Sequence, residues 1–210
     1  EAVEKVLEGE RRLFAVCQRD NSDNATPEDL YETGVIVRVL QVQRGTGGLQ
    51  LLIQGVQRAK ALKYERVGDN GMLVADVWAI AAEEPAEPHE PAFIALDHEL
   101  RERAAELGRQ RGMPAEALNQ IIEGIEGPGA FADLVAFHLD QTATEKQQLL
   151  ELLPTAERMR RVLVGVERDL IRLEAQQEIQ QKVQEELGEK QREMVLREQM
   201  KAIQRELGDE

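Results

Sequence analysis

The most constraining feature of the sequence is the run from Thr155 to its last residue, which contains no proline and only three glycines. Its apolar residues recur alternately four and three positions apart, the spacing of a helix that packs along one face. Two groups follow this spacing: Met159, Leu163, Val166, Leu170 and Leu173, and then Leu196, Met200, Ile203 and Leu207. About fifty residues of helix extend roughly 75 Å, more than the width of a small domain. We therefore predict that residues 154–210 form one long helix projecting from the rest of the fold.

Charge distinguishes this helix from the residues that precede it. Residues 158–210 hold 11 basic and 12 acidic side chains, whereas residues 1–157 hold 15 and 28. The whole chain carries a net charge of −14 and only 3% aromatic residues. Nucleic-acid affinity comes largely from neutralised phosphates and, for single strands, from stacking on aromatic rings. The composition therefore argues against a nucleic-acid partner, and because no apolar run approaches ~18 residues, it also argues against a membrane span.

The front of the chain alternates apolar and polar residues with period two. Segments of this kind are expected to be strands, at residues 13–17, 34–43, 49–56, 59–67 and 72–81. Glycines between Gly45 and Gly48, and the Asn70-Gly71 pair, suit tight hairpin turns. Residues 1–10 show helical spacing, and Thr26-Pro27 begins a single helical turn. Residues 1–82 are thus predicted to form a curled, mostly antiparallel sheet with small helices.

A proline-rich segment separates this sheet from a helical region. Residues 83–91 hold three prolines among four acidic residues and are expected to form a semi-rigid linker. Residues 92–153 then show helical periodicity in four stretches, at 93–107, 117–122, 131–139 and 144–153. Thr144 with Gln147 matches a capping box at the start of the fourth stretch. The predicted fold class is α+β: a β lobe, a helical bundle and a long last helix.

Few side chains in the sequence are suited to covalent or metal chemistry. The only serine, Ser22, lies in a polar run, and the only cysteine, Cys17, lies in an apolar segment that favours a buried thiol over a reactive thiolate. The three histidines have no partner at metal-ligand spacing; they are His89, His98 and His138. No phosphate-loop string is present. We predict no catalytic, cofactor-binding or metal-ligating residue within the chain.

Interaction surfaces are more strongly indicated than chemistry. One set of apolar positions must be covered by the preceding helices or by another chain: Leu163, Leu170 and Leu173. A second set lies far along the helix from the bundle: Met194, Leu196 and Met200. Flexible methionine-rich surfaces suit adaptable binding, so we predict that this second set contacts a client polypeptide. Packing on further residues of the protein is the alternative.

Three segments, in order along the chain, match one known family. They are Gly34–Val37 with Ile53–Ala59, Ala132–Leu139 with Glu145–Glu151, and Gln191–Gly208. Together they resemble the amino-terminal domain of bacterial Lon proteases, and the resemblance covers the whole chain. The resemblance implies a structural role for positions in these motifs: Gly55, Arg58, Asp133, Lys146, Gln147, Arg192, Gln199 and Glu206.

The resemblance carries further expectations. It implies a PUA-like β lobe, a helical lobe and a long helix leading toward an AAA+ ATPase module and a protease domain with a Ser–Lys dyad. In the parent enzyme it implies ATP and magnesium as cofactors, a homohexamer, a bacterial cytoplasmic location, and unfolded or degron-bearing polypeptides as partners. The resemblance thus implies that this chain is a non-catalytic substrate-recognition and assembly region that ends before the ATPase module.

The sequence departs from the family pattern in two places. The family begins with an apolar strand, whereas this sequence starts at the following helix, so an edge strand is expected to be missing. Where the family often has aromatic residues before Leu196, this sequence has Met194 and Val195.

Two other functions are alternatives to this one. The first is a stand-alone PUA-like module that binds RNA or a small ligand, which the acidic charge disfavours. The other is a purely structural spacer.

Overall fold

A computed structural model describes residues 3, 6, 9–20, 22, 25–45, 48–68, 71–85 and 87–208 of the chain. The front of the chain forms a four-stranded antiparallel sheet in which each strand pairs with the next along the sequence. The strands are β1 Arg12–Ala15, β2 Thr33–Gly45, β3 Gly48–Val67 and β4 Met72–Ile80. A single 3-10 turn at Pro27–Asp29 lies between β1 and β2, as the sequence predicts. The helix expected over residues 1–10 lies largely outside the described residues.

The third strand differs from the sequence expectation. Residues 49–56 and 59–67 read as two strands, but they belong to one strand of 20 residues. The strand pairing skips Val56 and Leu62 of β3 and Leu40 of β2, and each skip is a β-bulge. A bulge bends a strand without ending its ladder. The single long strand therefore pairs with β2 over its first part and with β4 over its second part.

The β lobe, residues 9–80, has a small core between its strands and the loop before β2. Val37 and Val39 of β2 and Ala59 and Ala61 of β3 are buried, and so is Leu30 in the loop before β2. Alternate residues of a strand point to one face, which explains the spacing of two within each pair. The predicted antiparallel lobe is therefore confirmed as the front of an α+β fold.

In the described part of the chain, five helices follow the sheet. They are α1 Pro91–Gln110, α2 Ala115–Gly124, α3 Pro128–His138, α4 Ala143–Glu151 and α5 Thr155–Gly208. The predicted capping box at α4 is wrong by two residues, because Thr142 is the cap and Glu145 reaches back to its N–H at 2.8 Å. Both threonines have an acid or amide three residues later, so the local pattern does not distinguish them. Gln147 is instead buried and bonded to the β lobe.

The helical lobe, α1 to α4 with α5 up to Leu173, has one continuous apolar core. Met159, Val166 and Leu170 of α5 are almost fully buried, against Leu100 of α1 and Phe131 of α3 among others. From Glu174 to Gly208, every residue of α5 except Gly188 is exposed. We call this second part of α5, residues 174–208, the rod. At ~1.5 Å per residue the whole helix extends about 80 Å.

The segment between the lobes is attached to the helical lobe. Glu83 donates its N–H to the Leu153 carbonyl at 3.0 Å and accepts from the Thr155 N–H at 2.9 Å. The Thr155 hydroxyl, fully buried, donates to the Glu84 carboxylate at 3.2 Å. The start of the linker is therefore joined to the first turn of α5, close to where the two lobes meet.

Candidate functional site

The two lobes meet at an arginine–carboxylate pair. Arg58 lies on β3 where this strand begins to pair with β4, and Asp133 lies in the middle of α3. Arg58 Nη2 donates to Asp133 Oδ1 at 2.7 Å, and Nη1 donates to Oδ2 at 3.0 Å. Arg58 Nε donates to the Leu150 carbonyl of α4 at 3.0 Å. Because a two-bond fork is directional as well as strong, this pair orients the sheet on the helices.

A second guanidinium completes the junction. Arg158 of α5 is almost fully buried, with Nε 2.9 Å from Asp133 Oδ1. Its Nη1 donates to the carbonyls of Leu152 and Leu153. Burial lowers the pKa of Arg158, and the Asp133 carboxylate opposes that shift. One carboxylate thus lies between a β-lobe arginine and a helical-lobe arginine. Arg58 also bonds to the last turn of α4, and Arg158 bonds to the residues between α4 and α5.

Beside this junction, an open groove of about 740 Å³ separates the sheet from α3 and α4. Its floor is mostly apolar, with Val35, Gly55 and Val56 on the sheet side and Leu149 and Leu150 on the helical side. We call it the inter-lobe groove. Concave, largely apolar surfaces with a few polar groups are the usual form of a binding site.

The helical side of the groove places an aromatic ring in solvent. Phe137 of α3 is 72% exposed, and Lys146 of α4 donates to its carbonyl at 2.9 Å with the ammonium 5.7 Å from the ring centroid. Gln147 of α4 is 4% exposed and donates to the Thr33 carbonyl at the start of β2, at 2.9 Å. Of the residues selected from the motifs, Gly55, Arg58, Asp133, Lys146 and Gln147 all line this groove.

The apolar positions predicted for helix packing lie next to the helical core. Leu170 is 2% exposed, and Leu163 and Leu173 are half-buried against the same core cluster. The preceding helices of the same chain therefore cover these three side chains in large part, without a second chain.

The positions predicted for client contact are exposed but do not form one surface. Met194, Leu196 and Met200 are each about 60% exposed. Because successive helical residues are rotated by about 100°, Leu196 and Met200 lie ~40° apart whereas Met194 lies ~160° from Leu196. The distal stripe, as we call it, consists of side chains that do share a face: Leu196, Met200, Ile203 and Leu207. The remaining motif positions, Arg192, Gln199 and Glu206, repeat every seven residues along another exposed part of the rod.

A third apolar surface was not predicted from the sequence. Residues 40–45 of β2 lie beyond its pairs with β1, and residues 48–57 of β3 lie beyond its pairs with β4. We call these two stretches of the sheet the ribbon. Six of its apolar side chains are more than one-third exposed: Leu40, Leu49, Leu51, Leu52, Ile53 and Val56. One feature of the sequence distinguishes this region from the rest of the chain: residues 33–64 contain five basic and no acidic side chains, although the chain as a whole is strongly acidic.

The described residues offer little that would hold a metal or carry out covalent chemistry. Within the described part of the chain, no group of three or more histidine, cysteine, aspartate or glutamate side chains is placed to hold a metal ion. The Cys17 thiol is partly buried and donates to the Gln18 carbonyl at 3.4 Å. None of the described helices is both long and apolar enough to cross a membrane.

These features define a class: a two-lobed α+β domain with an apolar groove between its lobes and a long helix leading away from them. Comparison with known proteins identifies its family. The model for the substrate-binding domain of ATP-dependent protease La (Lon) matches residues 1–168. The chain belongs to the Lon substrate-binding domain family.

Individual relatives agree with this assignment. Lon protease 1 of Sorangium cellulosum is 46% identical over 100% of this chain and 26% of its own length. Lon protease 2 of Thermus thermophilus is 38% identical over the same shares of both chains. The chain thus spans about a quarter of these relatives. Among solved structures, the N-terminal domain of a Mycobacterium avium complex Lon protease shares the fold, with a TM-score of 0.63 and 22% identity over 79% of this chain and 83% of that one.

Proposed function

We propose that this chain recognises unfolded or degron-bearing polypeptide for an ATP-dependent Lon-type serine protease and contributes to its assembly. The observation that carries the proposal is the exposed aromatic ring of Phe137 at the mouth of the apolar inter-lobe groove. Unfolded chains differ from folded ones in presenting apolar side chains, so a wide apolar groove selects them without reading a sequence.

The rod supplies a second element of the proposal. The distal stripe presents four large apolar side chains on one helix face, remote from the core that covers the first part of α5. In the parent enzyme, the rods of several copies would project toward a hexameric ATPase ring that binds ATP and magnesium. Weak contacts repeated on several copies give high overall affinity, because each bound segment raises the local concentration of the next. Client polypeptide captured at the lobes would then be passed on, unfolded and cut by the downstream domains of the cytoplasmic parent enzyme.

Site-specific photocrosslinking tests the proposal. A photoreactive residue is placed at position 137, at 196, or at the control position 94, where Ile94 on α1 is 54% exposed and apolar but lies outside the groove and the rod. We expect a permanently unfolded protein, such as reduced and carboxymethylated lactalbumin, to crosslink at 137 and 196 well above the level at 94. The folded, disulfide-bonded form of the same protein should crosslink at none of the three.

The other outcomes distinguish the alternatives. Equal labelling at all three positions, or none at any, overturns client recognition and leaves the structural spacer. A salt-sensitive shift of RNA by the chain would instead favour the RNA-binding alternative, because phosphate contacts weaken steeply as salt is added.

A further inference from the structure

The ribbon has backbone edges that no other strand occupies. β4 pairs with β3 only from Arg58 to Val67, so within the described part of the chain nothing pairs with the outer edge of β3 from Gly48 to Gln57. Ten residues of strand present an edge of about 33 Å, on which N–H and C=O groups alternate. Such an edge is a template for another strand, and proteins normally shorten or cover it.

The side chains of the ribbon specify what kind of strand would fit. Leu49, Leu51 and Ile53 alternate with Gln50, Leu52 and Gln54, so both faces carry apolar groups that are more than one-third exposed. A strand that added to this edge would place its own apolar residues beside these. The same stretch contains no aromatic residue to stack on a nucleobase.

Charge adds a further selection. From Arg38 to Gln57 the only charged residues are Arg38 and Arg44, both positive, whereas the whole chain has a net charge of −14. Opposite charges across an interface favour the matching partner and raise its association rate. Arg38 and Arg44 lie on β2, opposite Gln54 and Leu49 of β3, so the positive charge of the ribbon lies one strand away from the open edge. In an acidic protein, a basic and apolar ribbon of this kind favours an apolar segment that carries acidic residues.

The ribbon is also continuous with the site described above. Gly55, Val56 and Gln57 belong both to the free part of β3 and to the wall of the inter-lobe groove. A polypeptide that lies in the groove can continue along the same strand without leaving the surface.

We propose that the outer edge of β3, from Gly48 to Gln57, binds an extended client segment of alternating apolar and acidic residues by adding it to the sheet as a further strand. This inference rests on the proposed function and names the client class for one part of the site. Backbone hydrogen bonds supply sequence-tolerant affinity, and the alternate side chains supply the preference, as in other cases of strand addition.

The test uses synthetic peptides of roughly ten residues, the length of the free edge. The first alternates valine and glutamate, the second replaces glutamate by lysine, and the third is the first with every backbone amide N-methylated, which blocks both edges of the peptide. Fluorescence anisotropy with this chain should show binding of the first peptide, with the second and third at least about tenfold weaker. Hydrogen exchange should slow in residues 48–57 when the first peptide is added.

Two double variants separate charge at the ribbon from charge elsewhere. Arg38→Glu with Arg44→Glu should weaken the glutamate peptide and strengthen the lysine peptide. Arg160→Glu with Arg161→Glu makes the same change in net charge on exposed positions of α5 and should alter neither. Circular dichroism verifies that both variants fold.

Several results would overturn the inference. One is equal affinity for the N-methylated peptide and the first peptide, and another is tighter binding of the lysine peptide than of the glutamate peptide. A third is slowed exchange in residues 48–57 that appears only when the protein concentration is raised. A fourth is binding to phosphatidylglycerol vesicles that depends on Arg38 and Arg44, with no binding of the peptides. If carboxymethylated lactalbumin crosslinks at position 137 but never protects residues 48–57, the ribbon inference fails while the proposed function stands. If neither occurs, both fail.

Discussion

Arg58 of the β lobe and Asp133 of the helical lobe are joined by two parallel hydrogen bonds of 2.7 and 3.0 Å, across 75 positions of sequence. The Arg58 side chain is 15% exposed and that of Asp133 is 38% exposed. Arg158 contacts the same carboxylate from the core of the helical lobe. One carboxylate beside the inter-lobe groove therefore pairs with an arginine from each lobe.

Removing that carboxylate should destabilise the chain. In Asp133→Ala the two guanidinium groups lose their shared counter-ion, and Arg158 remains buried. Losing one partner of a fully buried pair costs about 3–5 kcal/mol, and because Asp133 is partly exposed we expect about 2 kcal/mol from urea unfolding. The control is Glu193→Gln on the rod. Glu193 lies 3.5 Å from its partner Arg197, and both side chains are more than 70% exposed. This variant should change the free energy of unfolding by less than ~0.5 kcal/mol. Equal effects of the two variants would contradict this role for Asp133.

Two glycines of α5 should respond oppositely to alanine. A Cβ at Gly165 would lie 2.6 Å from Leu139 Cδ1 and 2.8 Å from Gln141 Nε2, whereas a Cβ at Gly188 meets nothing within 4 Å. Alanine in a helix gains ~1 kcal/mol over glycine, and overpacking costs about 1–3 kcal/mol. Gly188→Ala should therefore raise the helicity of the rod, and Gly165→Ala should lower the thermal midpoint of the helical lobe. A rise in that midpoint for Gly165→Ala would show that Leu139 moves aside freely.

Acid should weaken the start of α4. Hydrogen bonds from Arg168 and from the N–H and hydroxyl of Thr142 lower the pKa of Glu145 to about 2, from an ordinary value of 4.5. A carboxylate with a depressed pKa in the folded state stabilises the fold above its unfolded pKa, and this contribution is lost as the pH falls from 4.5 toward 2. Glu145→Gln should therefore flatten the fall in the urea midpoint over this pH range. Glu193→Gln makes the same charge change on the rod and should leave the slope as it is; equal slopes for all three proteins would contradict the prediction.

The two parts of α5 should separate stability from binding. Leu170 is 2% exposed in the core, so Leu170→Ala should cost about 2–5 kcal/mol of unfolding free energy. Leu196 is 60% exposed, so Leu196→Ser should leave the urea midpoint nearly unchanged. The second variant should instead reduce crosslinking of unfolded lactalbumin from a photoreactive residue at position 200. Unchanged crosslinking would remove the distal stripe from the client surface.

Elements with a strong local pattern could be predicted from the sequence. Apolar spacing indicated the long helix, and the turn at Thr26 follows from a cap, a proline and acids within four residues. The cap of α4 was misplaced because two threonines compete locally, and the choice depends on Gln147, which bonds to Thr33 across the lobe interface. The strand break expected near residue 57 was also wrong, because a bulge at Val56 keeps the ladder continuous and bulges depend on the partner strand.

Some residues of the candidate site could likewise be predicted from the sequence, and others could not. Motif resemblance selected Gly55, Arg58, Asp133, Lys146 and Gln147, but not the groove that they line. Phe137 and the apolar residues of the ribbon were missed, because an apolar side chain in a helix or strand is normally buried and only packing shows that these are not.

Taken alone, the order of residues determined the α+β succession, the long helix, the separation of charge and the family, since each is written in local spacing, composition or matched motifs. Tertiary structure decided which apolar side chains of α5 are covered, which edge of β3 stays open and how Arg58 meets Asp133. Those outcomes depend on contacts between residues far apart in the chain, and the free energy of such contacts exists only once the lobes have packed together.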